Sequence, residues 1–266
     1  MADVSAIVRD LEAESEEVDA LVADLRPARW SLPTPAAGWT IAHQIAHLAW
    51  TDAKALVAAR TPEAFDEEIA SALALGETYV DQGAADGATL PPSRLLRLWR
   101  EQRDELAEEL CAVAPGTRLP WYGPPMSAAS MASARLMETW AHGQDIADAL
   151  GVPRVPTARL WHVARLGVRT RDFAFRVRGL APPSEEFRVE LSAPDGDSWT
   201  FGPEDAPERV TGSAHHFCLL VTQRRHRDDT DLRADSEQAA RWLEVAQAFA
   251  GPPGPGRPAQ TERSRS

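Results

Sequence analysis

Apolar residues recur at helical spacing through the first two thirds of the chain, then at alternate positions in a shorter stretch. Val4, Ile7, Leu11, Val18, Leu21 and Leu25 mark one face of a helix over residues 3–25. Residues 27–39 hold too much proline and glycine for regular structure. Thr40 reads as the N-cap of a helix running to about 59, and Pro62 opens a third that reaches about 80. The run 81–92 reads as a loop, 93–113 as a charged amphipathic helix, and 115–126 as irregular chain. A helix over 127–150 is closed by Gly151 and Pro153, and another spans about 157–178.

The texture changes after residues 179–183. Phe187–Leu191 and Asp197–Gly202 alternate as strands do, and Asp195-Gly196 between them is a hairpin signal. A short strand follows near Arg209–Thr211, then a helix over 214–225, a strand near Thr230–Arg233, and a helix over 237–249. The expected fold is mainly α with a smaller α+β domain: a four-helix bundle over 1–180, a small α+β domain over 184–250, and a flexible tail over 251–266.

The 266 residues suffice for two modest domains without disulfide staples. The formal net charge of -12 argues against nucleic acid or an anionic membrane as partner, since both reward positive surface. Lys is nearly absent and Arg carries almost all the positive charge; with Ala and Pro also frequent, the composition is that of a GC-rich genome. No stretch approaches the roughly twenty apolar residues of a membrane span. The acidic, amphipathic N-terminus is unlike a secretory signal, so the expected location is cytoplasmic. Cys111 and Cys218 are far apart and form no Cys-x-x-Cys motif.

One constellation names a chemistry. His43-x-x-x-His47 and Glu138-x-x-x-His142 each put two potential metal ligands on one face of a helix. Packed side by side, the two helices bring imidazoles and a carboxylate to one point, the ligand set of zinc or a related divalent ion. The plainer reading leaves the histidines as caps or packing residues; the carboxylate tells against it, because a Glu facing a bundle interior needs a cation or a proton. We take His47, Glu138 and His142 as the ligands. Three protein ligands suit an open, catalytic site better than a closed, structural one. His43, one turn earlier, is a fourth ligand or a supporting group. Asp145, one turn beyond His142, either orients that imidazole, acts as an acid or base, or makes a surface ion pair. Trp50 shares the face of His43 and His47, and lines the pocket or packs in the core. Tyr122 and Trp121 precede the second ligand helix, Tyr122 as a hydrogen-bond donor to the cleft or, with Trp121, as a loop anchor.

These residues carry a resemblance. Through Gly38–Trp50 and Met137–Gly151 the chain resembles the mycothiol-dependent maleylpyruvate isomerase family, within the DinB-like metal-binding helical bundles. From Phe187 through Gly254 it resembles the sterol-carrier-like domain that follows the bundle there, so the likeness covers nearly the whole chain. The resemblance assigns the metal to His47, Glu138 and His142. It implies a divalent metal, zinc before Ni, Fe or Mn, that holds the thiol of mycothiol or a similar cosubstrate as thiolate. The thiolate would then add to a small electrophile, as an isomerase or transferase step. It also implies an Arg of the second domain that assists substrate binding, for which Arg224 and Arg225 are the candidates, with Arg169 and Arg171 on the preceding helix. The plainer reading of that pair is the basic end of a helix. The expected partners are a small electrophile and a low-molecular-weight thiol, with no nucleic acid and no membrane, in a monomer or homodimer.

Two other functions fit the same residues. One is a thiol-independent metal enzyme, a hydrolase, lyase or cyclase of secondary metabolism, which would turn over with no thiol present. The other is a metal-stiffened small-ligand-binding protein, whose ligand affinity would survive chelation.

Overall fold

Side chains take up free backbone N–H groups where the long helices begin. The Asp3 carboxylate accepts the Ser5 N–H at 3.0 Å, and α1 runs Val4–Val22. Thr40 and His43 form a capping box in which the His43 Nδ1 accepts the Thr40 N–H at 3.3 Å, opening α2, Ile41–Arg60. Helices α3 (Phe65–Leu75), α4 (Thr78–Ala88) and α5 (Pro92–Ala112) follow, α5 with Pro92 in its first turn. The Ser127 hydroxyl accepts the Ser130 N–H at 3.2 Å to start α6, Ala128–Leu150, which ends on Gly151 at φ +69°.

The computed structural model describes residues 3–76 and 78–260, in two units, Met1–Arg154 and Val155–Ser266. In the first unit α1, α2, α5 and α6 make the bundle, and α4 lies along α2. One end of its core gathers Phe65, Leu106, Leu110 and Met131; the other gathers Val18, Ile41, Ile45, Leu48, Trp99 and Ile146. A buried ion pair ties α2 to α6. Arg135 donates to Asp52 at 2.8 Å and to the Thr51 hydroxyl at 2.7 Å. Arg100 donates through two nitrogens, each at 2.6 Å, to Asp19 and ties α5 to α1.

The second unit opens with α7 (Leu160–Arg169) and α8 (Arg171–Arg176). Strands β1 (Phe187–Ser192), β2 (Ser198–Phe201), β3 (Glu208–Ser213) and β4 (Arg233–Ala234) form one sheet in the order β2-β1-β3-β4. β1 and β2 are an antiparallel hairpin turning through Gly196 at φ +93°, as its Asp-Gly signal predicts. β3 returns parallel to β1, pairing Val189 with Val210. Helices α9 (Ala214–Val221) and α10 (Glu237–Val245) bury Phe217 and Trp242 with Phe187.

The mainly α architecture with a smaller α+β part is the one expected, but several boundaries differ, among them the end of the last helix, at Val245 rather than 249. The expected third helix breaks at Gly76, φ +54°, and its second half continues to Ala88 through the expected loop. The glycines there read as breakers yet serve packing: a Cβ on Gly83 would fall 2.6 Å from the Trp50 ring and one on Gly87 2.8 Å from the Ala46 methyl, so only glycine lets α4 lie this close to α2. The helix over 157–178 is split at Thr170, whose hydroxyl donates to the Gln247 carbonyl at 2.6 Å. The unit boundary falls at 154–155 rather than near 180. α7 belongs with the second unit because the Cys218 thiol of α9 donates to the Leu160 carbonyl and Gly167 sits against Val221 of α9. Of the expected tail, residues 252–256 are exposed, whereas Ala259 is buried and the Gln260 N–H donates to Asp229 at 3.0 Å; residues 261–266 lie outside the described ones.

Candidate metal centre

The packing of α2 on α6 brings the middle of both helices together, and the expected ligands with it. His47 Nε2 lies 3.6 Å and His142 Nε2 3.2 Å from the same Glu138 oxygen, Oε2. The two imidazole rings stand 4.4 Å apart between centroids. One ligand atom from each residue falls within 4.8 Å of the others, and no other such group of His, Cys, Asp or Glu occurs among the described residues.

The donor set suits a divalent ion of borderline hardness: two imidazoles and one carboxylate. Burial alone would raise the Glu138 carboxyl, but hydrogen bonds from His142 and His47 outweigh it and hold the group well below the usual carboxylate range. Glu138 is therefore ionised, as a ligand must be. Its side chain keeps 22% exposure against 8% and 10% for the imidazoles, so the carboxylate side of the cluster is the one open to solvent.

A hydrogen-bond chain sets the donor direction of His142. Its Nδ1 donates to the Gln44 amide oxygen at 2.5 Å, so Nε2 is the nitrogen that faces Glu138, donating to it while protonated and free to bind a cation once deprotonated. Gln44, fully buried, donates in turn to the Thr34 hydroxyl at 2.8 Å, and Thr34 donates to the Trp39 carbonyl at 2.9 Å. His47 is held differently. Its Nδ1 is buried with no hydrogen-bond partner among the described residues, and its ring is packed between Trp39 and Trp50, at 5.3 Å and 6.3 Å. Trp39 also stacks on His142 at 5.8 Å and is tethered by its indole N–H to Asp81 at 3.0 Å. It roofs both imidazoles against water.

The other expected residues are placed as follows. His43 spends its Nδ1 on Thr40, 2.8 Å from that hydroxyl, and stands outside the cluster. Asp145 is buried on α6, three residues past His142. Trp50 carries Lys54 over its face at 5.5 Å and meets Tyr79 edge-on at 4.9 Å. The Tyr122 hydroxyl pairs with that of Tyr79 at 3.0 Å, and Tyr79 donates to Glu68, which Lys54 bridges at 2.6 Å. Burial and the Tyr79 hydroxyl push the Tyr122 phenol far above its usual range, so it is neutral. Trp121 stacks on Phe65 as a loop anchor. Arg224 and Arg225 lie in the second unit just past α9, which ends at Val221 and not at 225. Arg224 donates to the Thr222 carbonyl at 2.7 Å, and Arg225 lines a cavity of that unit.

Sequence reasoning passed over Gln44, Thr34, Tyr79 and the roofing role of Trp39. Only Gln44 left a signal: an uncharged polar residue inside the otherwise apolar face that carries His47.

Comparison with known proteins bears on this site. The family model described as the mycothiol maleylpyruvate isomerase N-terminal domain matches residues 11–147, and one described as wyosine base formation matches 183–235, a different likeness from the sterol-carrier-like one read from the sequence. An uncharacterized protein of Mycobacterium tuberculosis, found in strains CDC 1551 / Oshkosh and H37Rv, is 58% identical over 257 residues, 97% of this chain and 100% of its own. The fold is shared with the crystal structure of the mycothiol-dependent maleylpyruvate isomerase, with a TM-score of 0.59 at 15% identity, covering 95% of this chain and 96% of that one. A histidine-to-alanine mutant of that enzyme matches with a TM-score of 0.57 over the same shares.

Proposed function

The chain belongs to the mycothiol maleylpyruvate isomerase family by its N-terminal domain, and from that premise we propose that it is a divalent-metal-dependent enzyme using a mycothiol-type thiol to isomerise, or to be transferred to, a small electrophile. The observation that carries the reading is the convergence of His47, Glu138 and His142 on one point, with the carboxylate side open. His47 and His142 would hold the ion through Nε2 and Glu138 through a carboxylate oxygen. A bound divalent ion, zinc first among the candidates, supplies a Lewis acid that keeps a thiol ionised at neutral pH.

The protein's own groups supply the rest. Gln44 holds the His142 ring with Nε2 turned toward Glu138, so the ring need not reorient to bind the ion. Trp39 keeps bulk water off both imidazoles. Substrate and thiol approach from the Glu138 side, the more exposed one. Asp145, buried on α6 three residues past His142, is the residue we propose to orient that imidazole or to transfer a proton.

The test is turnover of maleylpyruvate by zinc-loaded protein with and without mycothiol, beside the metal content of single alanine variants. Isomerisation that needs the thiol, and loss of stoichiometric metal in Glu138→Ala and His142→Ala, is the expected result. Full metal content in those two variants would overturn the ligand set; equal turnover without any thiol would overturn the cosubstrate.

A further inference from the structure

The second unit contains a cavity of about 380 Å³ between the end of α9, α10 and residues 254–257. Four arginines line it: Arg178, Arg225, Arg227 and Arg257. Only two acids do, Asp228 and Glu244, and both are exposed while the four arginines are half-buried. A cationic lining is out of character for a chain of net charge -12.

Three of these cations lack an anionic partner among the described residues, Arg227 donating only to the Thr230 hydroxyl at 3.1 Å. The Arg178 guanidinium donates to neutral oxygens, the Ala174 carbonyl at 3.0 Å and the Gln247 amide at 3.4 Å, and burial lowers its pKa. The Arg225 guanidinium has no acceptor among the described residues. A cluster of like charges facing one cavity raises its positive potential and favours an anionic guest. The backbone is bent to put Arg225 there. α9 closes with the Arg224 N–H on the Leu219 carbonyl at 2.7 Å and the Gln223 N–H on the Leu220 carbonyl at 2.9 Å. The left-handed residue this turn requires is Gln223, at φ +61°, the one non-glycine at positive φ among the described residues, and it too lines the cavity. Glycine would make that turn without strain; here the turn carries a glutamine whose residue forms part of the cavity wall.

We infer that this cavity binds a small metabolite through an oxyanion, a carboxylate or a phosphate, gripped by the planar forks of Arg178 and Arg225. The volume suits a molecule of a few to a dozen heavy atoms rather than a bare ion. Every lining residue belongs to the second unit, whereas the three candidate metal ligands belong to the first.

The experiment is calorimetric titration of the full-length protein at low salt with inorganic phosphate, pyrophosphate and malonate, repeated with Arg225→Ala, Arg225→Lys, Arg178→Gln, and Arg97→Ala as a surface control. Saturable one-site binding of at least one probe is expected, weakened about tenfold or more in Arg225→Ala and Arg178→Gln and unchanged in Arg97→Ala. Arg225→Lys should recover little, since an ammonium has no fork. Tighter pyrophosphate identifies a phosphate ligand; tighter malonate identifies a carboxylate. No saturation by any probe up to about 10 mM, or equal affinity in a folded Arg225→Ala, overturns the site. Arg225 bonds nothing within the fold by its guanidinium, so its variants decide the matter even if Arg178→Gln fails to fold. Binding that persists in Glu138→Ala separates this result from any failure of the metal reading.

Discussion

Gln44 is a single amide that joins two elements, because its oxygen fixes the ring of a residue 98 positions away. Gln44→Leu keeps the volume and removes the acceptor. A chelator competition should then show zinc affinity falling about 10- to 100-fold while the thermal melt of the metal-free protein moves little; unchanged affinity would mean that packing alone orients His142. The pair Arg135 and Asp52 makes the opposite case, a charge interaction buried for the fold. Asp52→Ala leaves a guanidinium without its carboxylate in the bundle interior, and denaturant unfolding should show a loss of about 3–5 kcal/mol. A loss below about 1 kcal/mol would show that water reaches Arg135. These two polar residues are alike in burial, and the sequence alone offers no means of telling the ligand's support from the bundle's brace.

At the scale of elements, α4 shows how packing overrides propensity. Ala is the better helix former by about 1 kcal/mol, yet Gly83→Ala should destabilise, since its methyl would meet the rigid Trp50 ring and overpacking costs about 1–3 kcal/mol. A rise in melting temperature would mean that α4 can step away from α2 freely. Because Trp50 also packs against His47, the same variant should weaken zinc binding in the chelator competition. The helix-breaking composition of 81–92 misdirects a local reading for this reason: the glycines answer to a partner helix that is distant in sequence. Thr170 is similar, since the break between α7 and α8 is set by a carbonyl 77 residues on.

At the scale of the whole molecule, the candidate metal centre lies in the first unit and the arginine-lined cavity in the second. Zinc at a hundred times its dissociation constant should stabilise the parent by about 2.7 kcal/mol, seen as a rise in melting temperature of several degrees. Glu138→Ala should show no such rise, and a rise of the same size would place the ion elsewhere. An oxyanion that fills the cavity should protect the second unit from hydrogen exchange around residues 220–227, with or without zinc.

The sequence by itself determined the helical class, the switch to alternating strands after residue 183, and the three residues that converge. Periodicity and ligand spacing are local properties, and a 3.6-residue repeat needs no neighbour to be read. Tertiary structure decided which tryptophan roofs the imidazoles, which amide steers one of them, where α4 exists at all, and which arginines share a cavity. Each of those depends on distances between side chains far apart in the chain, and such distances exist only after α2 meets α6 and α9 meets the residues that follow α10.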